Sequence, residues 1–226
     1  QYTIDRLSYF HSRVPPVGLL YDPVDTDFFR PIPQAEARHE VERRFKLSGL
    51  DKRFIMTTVA FMGEPPNKGH RQAIEALQQL NGPRFQYIVV GDGPARLTIE
   101  DWARQAGVSS QVTFLGMVEQ SALPFLYSAA DVAVLVARGG PGLGEAVPLG
   151  LIEASACGVP FICGDQDGSV EAISPTKPNG FAVDPNDSAA LARRLRELAE
   201  DSELRARMVE NGKRFVDEVF VYRKFV

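Results

Sequence analysis

The chain of 226 residues and 24.9 kDa has the length of one or two domains. Its 25 Lys and Arg residues against 29 Asp and Glu residues give a formal net charge of −4, which argues against a nucleic-acid binder that relies on a basic surface. Hydrophobic residues make up 44% and charged residues 24% of the chain, as in globular proteins and unlike disordered ones. No apolar run approaches the length of a transmembrane helix.

The few cysteines and histidines are not spaced as metal ligands. Cys157 and Cys163 form neither CxxC nor a zinc pattern, and we expect both to be reduced core thiols in a reducing, cytoplasmic compartment. His11, His39 and His70 show no ligand spacing either. The N-terminal residues predict no secretory signal, and an opening glutamine is typical of a fragment of a longer protein.

The predicted elements alternate between strand and helix along the chain. Continuous apolar runs, the pattern of strands buried on both faces, occur at 54–60, 85–90, 112–115, 132–136 and 159–163. Helices are predicted at 34–47, around 74–80, at 95–106, at 121–129, from about Glu145 to Ala156, at 188–199 with an Asp187 or Ser188 cap, and at 202–219. The alternation predicts an α/β fold with a Rossmann-like, doubly wound parallel sheet.

Glycine-rich loops follow several of the predicted strands. Ligands of open parallel sheets bind where the strands end, and glycine lets backbone N–H groups approach a phosphate closely. These loops therefore favour a phosphate-bearing ligand. No Walker P-loop is present, and the Gly91-Asp92-Gly93 turn lacks the third glycine of a dinucleotide site, so NAD is a weak alternative.

Two carboxylates, Glu145 and Glu153, lie eight residues apart in a predicted helix. A continuous helix would place them about 80° apart around its axis and about 12 Å apart along it. Carboxylates at that separation suit two hydroxyl-bearing rings better than one proton-transfer site. The alternative is structural: Glu145 would complement the helix dipole and Glu153 would be a solvated helix residue.

The E-x7-E spacing, followed by Ala-Ser-Ala-Cys-Gly-Val-Pro, resembles the hallmark of the retaining glycosyltransferases of family 4, which have the GT-B fold. Other family motifs agree in order: residues 24–31 resemble its "GVD…F.P" segment, Lys68-Gly69 its "KG", residues 90–94 its "VGdGP", residues 114–116 its "fLG" and residues 179–185 its "nG.lv.p.d" strand. The resemblance covers nearly the whole chain.

The resemblance implies the C-terminal half of a two-domain enzyme. Residues 1–16 would be the tail of the preceding domain or the crossover, residues 17–200 the donor-binding domain, and residues 201–226 a helix that packs back on the missing N-terminal half. Phe220, Tyr222 and Phe225 would dock there, or they pack on their own sheet. The missing half would carry much of the acceptor site, so the fragment alone should be inactive.

The resemblance also assigns roles. Lys68 would hold the diphosphate, Glu145 the donor-sugar hydroxyls and Glu153 the two ribose hydroxyls, with Lys68 and Glu145 as the catalytic pair. The remaining donor-binding residues would act mainly through their backbone: Gly91, Gly93, Met117, Val118, Val147, Leu149 and Gly150. We expect a UDP- or GDP-sugar donor, no metal and no cofactor. Asp165-Gln166-Asp167 has the shape of a metal-binding DxD but is interpreted as a loop and helix cap.

The chain departs from the family at one position. The arginine that usually precedes the lysine is absent, because the stretch reads Ala60-Phe61-Met62. Arg138 would substitute for it, with Arg71 less well placed. Alternatively, the site is weakened or accepts a different donor.

The expected function is hexose transfer to a glycan or lipid-linked acceptor in the synthesis of a surface polysaccharide, lipopolysaccharide or glycolipid. The full-length enzyme would be cytoplasmic and associate peripherally with the inner face of a membrane. The alternatives are a non-catalytic nucleotide-binding or scaffold domain, and a relative with epimerase or phosphorylase chemistry.

Overall fold

The computed structural model describes residues 20–82, 84–138 and 144–221. They form a six-stranded, all-parallel sheet with the strand order β3-β2-β1-β4-β5-β6. The strands are β1 (Phe54–Val59), β2 (Phe85–Val90), β3 (Val112–Gly116), β4 (Val132–Leu135), β5 (Phe161–Gly164) and β6 (Gly180–Val183). This is the strand order of a doubly wound dinucleotide-binding sheet, and the predicted fold class is confirmed.

Helices cover both faces of the sheet. In chain order they are α1 (Gln34–Phe45), α2 (His70–Leu80), α3 (Arg96–Gln105), α4 (Leu123–Ala129), α5 (Leu149–Ala156), α6 (Ser188–Glu200) and α7 (Ser202–Val219). Helices α2, α3 and α6 enclose one hydrophobic core, and α1, α4 and α5 enclose the other. Within the described ranges, no helix combines the length and apolar character needed to cross a membrane.

The order of the strands reverses between β1 and β4, and this switch point positions the candidate site. β1 pairs with β2 from Phe54 opposite Phe85 onwards, and with β4 at Met56 opposite Val132. Successive residues of β1 enter opposite cores, since Ile55 belongs to one and Met56 to the other. Burial on both faces explains the continuous apolar run. The chain leaves β1 and β4 toward opposite faces, which opens a crevice at their carboxyl ends.

Helix α5 begins at Leu149, so the prediction of a helix from Glu145 was wrong. Pro148 occupies the N-cap position with φ −69° and ψ 118°. A residue before proline is disfavoured in the α conformation, which excludes Val147 from the helix. Glu145 therefore lies on a loop, and the helical angle and rise predicted between Glu145 and Glu153 do not apply.

The last helices confirm some predictions and leave others untested. The Asp187 side chain caps α6 as predicted, by accepting a hydrogen bond of 2.8 Å from the Ala190 N–H. Phe220 is buried within this chain, with its ring 5.1 Å from that of Tyr21. Tyr222, Phe225 and residues 1–16 lie outside the described residues, so docking of α7 on another domain stays a prediction. Both cysteines are free and buried, as expected of core thiols.

Glycines at the ends of the central strands allow neighbouring loops to touch backbone to backbone. A β carbon on Gly69 would lie 2.6 Å from the carbonyl oxygen of Val136, and one on Gly91 would overlap that of Ala60. Both glycines also have positive φ, +81° and +121°, which L side chains rarely adopt. These positions need glycine because of the packing of the protein itself.

Replacing Gly91 with Ala should therefore destabilise the fold by at least about 3 kcal/mol, from overpacking against backbone together with backbone strain. Gly49→Ala is the matched control, because Gly49 has φ +74° and open space around the position of a β carbon; its cost should be about 1–2 kcal/mol from the left-handed conformation alone. Urea unfolding measures both, and equal losses would contradict the packing argument.

Candidate active site

Lys68 and Glu145 meet across the switch point. Lys68 precedes α2 on the loop after β1, and Glu145 precedes α5 on the loop after β4. The Lys68 ammonium donates a hydrogen bond to Glu145 Oε1, and the side chains are 25% and 17% exposed. The two residues predicted as the catalytic pair are 77 positions apart in sequence and are brought together by the sheet. Each charge is partly accessible from the crevice.

The loop after β5 holds Glu145 in place. The Glu145 N–H donates to Asp167 Oδ2 at 2.9 Å, and the Glu145 carbonyl accepts from the Gly168 N–H at 2.9 Å. Asp167 is buried, and its other oxygen accepts from the Ser169 N–H at the start of a short 3-10 helix. The interpretation of Asp165-Gln166-Asp167 as a loop and cap is confirmed. The contact of Asp167 with Glu145 was not predicted, since no local pattern links positions 22 residues apart.

Glu153 is held by Tyr127, a residue that the sequence analysis missed. The buried Tyr127 hydroxyl on α4 donates to Glu153 Oε2 at 2.9 Å. Burial raises the pKa of Glu153, and this hydrogen bond partly opposes the increase. Burial and the Glu153 charge raise the pKa of Tyr127 well above its ordinary value, so the phenol remains a donor. Glu153 is therefore a half-buried, oriented acceptor rather than a solvated helix residue.

Because Gly150 has no side chain, it leaves space for the Tyr127 hydroxyl, which donates to Glu153. A β carbon at Gly150 would lie 3.2 Å from the Tyr127 hydroxyl and 3.4 Å from the Val59 carbonyl oxygen. Val147 is half-buried and Leu149 exposed at the beginning of α5, where no side chain caps the helix. The first N–H groups of a helix have no partner within it, so Leu149 and Gly150 can supply donors to an anion at the crevice.

The N–H groups of Gly91 and Gly93 have hydrogen-bond partners within the protein. The Gly91 N–H donates to the Gly116 carbonyl at 2.9 Å, and the Gly93 N–H donates to Asp92 Oδ1 at 2.8 Å. Their N–H groups are thus engaged within the protein, and the glycines supply close packing. Met117, which follows β3, is exposed, and Val118 is half-buried. Contact of these four residues with a donor stays a prediction.

The position of the missing arginine carries an exposed aromatic residue. Phe61 follows β1 and is 64% exposed. Arg138 follows β4, and its N–H donates to the Asn67 carbonyl at 3.3 Å, next to Lys68. Arg138 and Arg71 both line a pocket of about 200 Å³ whose other walls are Pro66, Asn67, Gln72 and Trp102. Residues 139–143 of the glycine-rich loop lie outside the described residues, and replacement of the missing cation by Arg138 stays a prediction.

The described part of the chain contains no group of three or more His, Cys, Asp or Glu residues arranged to hold a metal ion. Burial, followed by the charge of Glu153, raises the pKa of Cys157 to about 12. Cys157 is therefore a neutral thiol at physiological pH and is not a nucleophile.

The sequence profile of the family described as "Glycosyl transferases group 1" matches residues 42–215. A GDP-mannose-dependent alpha-(1-6)-phosphatidylinositol monomannoside mannosyltransferase of Mycobacterium tuberculosis is 33% identical over 222 residues, which cover 92% of this chain and 55% of the relative. The chain spans about half the length of the curated relatives it matches.

Solved structures agree with this match. Sucrose-phosphate synthase from Thermosynechococcus elongatus superposes with a TM-score of 0.82 at 25% identity, over 99% of this chain and 53% of that one. The C-terminal domain of a glycosyl transferase group 1 family protein from Francisella tularensis superposes with a TM-score of 0.72 at 26% identity, over 88% of this chain and 99% of that one. The family and fold predicted from the motifs are confirmed.

The raised pKa of Glu153 predicts how stability depends on pH. The pKa lies above its ordinary 4.5 because of burial, so the contribution of Glu153 to stability is full below the unfolded-state pKa and is lost as pH rises through the folded-state pKa. Glu153→Gln keeps an acceptor for Tyr127 without the charge. The melting temperature of this variant should match that of the wild type near pH 4 and exceed it increasingly toward pH 7.

Glu203→Gln on α7 is the control, because the Glu203 side chain is 90% exposed. Its melting temperature should follow that of the wild type throughout the titration. A Glu153→Gln difference that does not change with pH would show that the Glu153 carboxylate pays no desolvation cost in the folded chain.

Proposed function

This chain belongs to the Glycosyl transferases group 1 family, and from that premise we propose that it binds the donor in a retaining transfer of a hexose from a nucleoside-diphosphate sugar. The observation that carries the proposal is the Lys68–Glu145 ion pair at the switch point. It places a cation and a hydroxyl acceptor side by side, where open parallel sheets bind their ligands.

Lys68 supplies the charge that this reaction needs. As the glycosidic bond to the diphosphate breaks, negative charge grows on the leaving phosphate and positive charge on the anomeric carbon. A fixed ammonium and the free N–H groups at the start of α5 stabilise the leaving group. Together they make a metal ion unnecessary for donor binding, so we propose a metal-independent site.

Glu145 and Glu153 recognise hydroxyl groups on two parts of the donor. Glu145 lies next to Lys68 and accepts from the transferred sugar, while Glu153, on the second turn of α5, accepts from the ribose. A carboxylate accepts two hydrogen bonds from neighbouring hydroxyls, and such charge-assisted bonds are stronger than neutral ones. Asp167 anchors the backbone of Glu145, and Tyr127 orients the carboxylate of Glu153 before the ligand arrives.

The named relative points to the donor. The Mycobacterium tuberculosis mannosyltransferase is GDP-mannose-dependent and acts on a phosphatidylinositol monomannoside. We propose GDP-mannose as the donor and a glycan or lipid-linked acceptor at the cytoplasmic face of a membrane. The acceptor groups would come from an N-terminal half like that of the relatives.

A non-catalytic nucleotide-binding domain is the second candidate, and Phe61 favours it. The exposed ring stands at the position where the family usually has a second diphosphate cation. Loss of that cation would leave ribose and base recognition in place and weaken stabilisation of the departing charge. Measurements of nucleotide binding do not distinguish the two candidates, whereas a measurement of sugar transfer does.

Calorimetry with GDP, UDP, ADP, CMP and their common sugar conjugates tests donor binding. We expect the chain to bind GDP and GDP-mannose selectively. Glu153→Gln should weaken this binding about tenfold to a hundredfold, because ribose hydroxyls lose a charged partner worth about 1.5–3 kcal/mol. Glu203→Gln should bind as the wild type does, and added EDTA should change nothing.

Two outcomes would count against this site. Undiminished affinity in Glu153→Gln would remove the ribose assignment, and no binding of any of these nucleotides at millimolar concentration would overturn the donor-binding proposal. Unfolding does not explain a loss in Glu153→Gln, because that substitution leaves the Tyr127 hydroxyl with an acceptor.

Transfer tests catalysis separately. We expect no transfer from GDP-mannose by the 226 residues alone, and transfer with retained α configuration once the chain is joined to an N-terminal half. Proton NMR of the product reads the anomeric configuration directly. Binding without transfer by the joined protein would favour the non-catalytic candidate, and a β product would contradict retention.

A further inference from the structure

A buried chain of hydrogen bonds runs beneath the start of α2. His70 Nδ1 lies 2.9 Å from the Tyr87 hydroxyl oxygen. The Tyr87 hydroxyl donates to Thr58 Oγ1 at 2.8 Å, and Thr58 Oγ1 donates to the Val134 carbonyl at 2.6 Å. All three side chains are buried, with His70 only 1% exposed. This hydrogen-bond network joins β2, β1 and β4 to His70, the first residue of α2, which lies two positions after Lys68.

The Val134 carbonyl at the end of this hydrogen-bond network determines the direction of every hydrogen bond in it. The Val134 oxygen can only accept, so the single hydroxyl proton of Thr58 points to it. Tyr87 must then donate to Thr58, and its oxygen is left to accept from His70. The proton of the imidazole therefore lies on Nδ1. Burial, assisted by the nearby charge of Lys68, lowers the pKa of His70 to about 4, so the ring carries no second proton at neutral pH.

His70 Nε2 is consequently a bare acceptor, enclosed by protein and without a hydrogen-bond partner among the described residues. A buried polar atom without a partner is costly. Its partner must be a donor, which excludes phosphate oxygens. The Lys68 ammonium carries three N–H groups, and its contact with Glu145 Oε1 leaves two of them for other acceptors.

We propose that His70 is a positioning residue for Lys68: its bare Nε2 accepts a hydrogen bond from the Lys68 ammonium when Glu145 turns to the hydroxyls of a bound donor. This inference rests on the proposed function for the ligand that engages Glu145. Lys68 then alternates between two acceptors, Glu145 in the free chain and His70 in the occupied one. The ammonium stays fixed beside the diphosphate when its carboxylate partner is withdrawn.

The ring nitrogens of His70 report this exchange in ¹⁵N NMR of the histidine-labelled chain. In the free wild type we expect the Nδ1–H tautomer with an unbonded Nε2. Glu145→Ala removes the first acceptor of Lys68, so the Nε2 resonance should move toward the hydrogen-bonded position without any ligand. GDP-mannose should produce the same movement in the wild type, and Lys68→Met should abolish it in both cases.

Three results would overturn the proposal. One is an Nε2–H tautomer in the free chain. Another is an Nε2 resonance that does not move in Glu145→Ala. The third is the same movement in chains that carry Lys68→Met, because water or a ligand hydroxyl would then be the donor. Failure of GDP-mannose to bind the wild type would count against the proposed function instead, and the ligand-free Glu145→Ala comparison would still decide the role of His70.

Affinity provides a second readout. His70→Asn keeps an N–H close to the position of Nδ1 for Tyr87 and deletes the Nε2 acceptor. We expect it to weaken GDP-mannose binding about tenfold, the effect of one hydrogen bond to a charged group. The same substitution should change little in a Lys68→Met background, because the two residues act as a unit. Losses that simply add would contradict the coupling.

Discussion

Contact between the backbones at the carboxyl ends of β1, β2 and β4 is the constraint on which the site depends. Gly69 lies against Val136, and Gly91 lies against Ala60, with no space for a β carbon at either glycine. The loops after β1, β2 and β4 are therefore held at fixed separations. Lys68 immediately precedes one of these contacts, so backbone packing fixes the point from which its side chain extends to Glu145. Under the proposed function Lys68 binds the diphosphate, and a fixed backbone position matters for that role because an ammonium is a point charge without a preferred geometry.

The ion pair between Lys68 and Glu145 compensates two partly buried charges in the ligand-free chain. Two partly buried charges in a crevice would each be poorly solvated, and removal of one partner would leave the other uncompensated. Pairing satisfies both charges in the ligand-free chain, and under the proposed function the donor would bring an anion for Lys68 and hydroxyl donors for Glu145. A nucleoside-diphosphate sugar carries both kinds of group next to each other. A simple anion such as phosphate would replace only one partner, and the cost of breaking the pair would oppose its binding. The proposed site would therefore favour the complete donor.

The sheet was predictable and the details of the site were not. Strands such as FIMTTV in β1 are buried on both faces, and the alternation of such runs with amphipathic helices predicts a doubly wound fold. The start of α5 differs from the predicted Glu145 because Pro148 disfavours the α conformation at Val147, so that the helix begins at Leu149. The contacts of Asp167 with Glu145 and of Tyr127 with Glu153 join positions 22 and 26 residues apart. No periodicity encodes such contacts, since they exist only once the strands have been ordered in the sheet.

Two buried tyrosines connect the candidate site to the two cores. On one face Tyr87 holds His70 at the start of α2, and on the other Tyr127 holds Glu153 in α5. Burial raises the pKa of both phenols, so each remains a neutral hydroxyl whose proton has one fixed acceptor. A charged residue in either place would need a counter-ion inside the core. A tyrosine supplies apolar packing along its ring and one oriented hydrogen bond at its tip. The two cores thereby orient His70 and Glu153 without adding charge to the candidate site. The electrostatic potential of the site is determined by Lys68, Glu145, Glu153 and the helix termini.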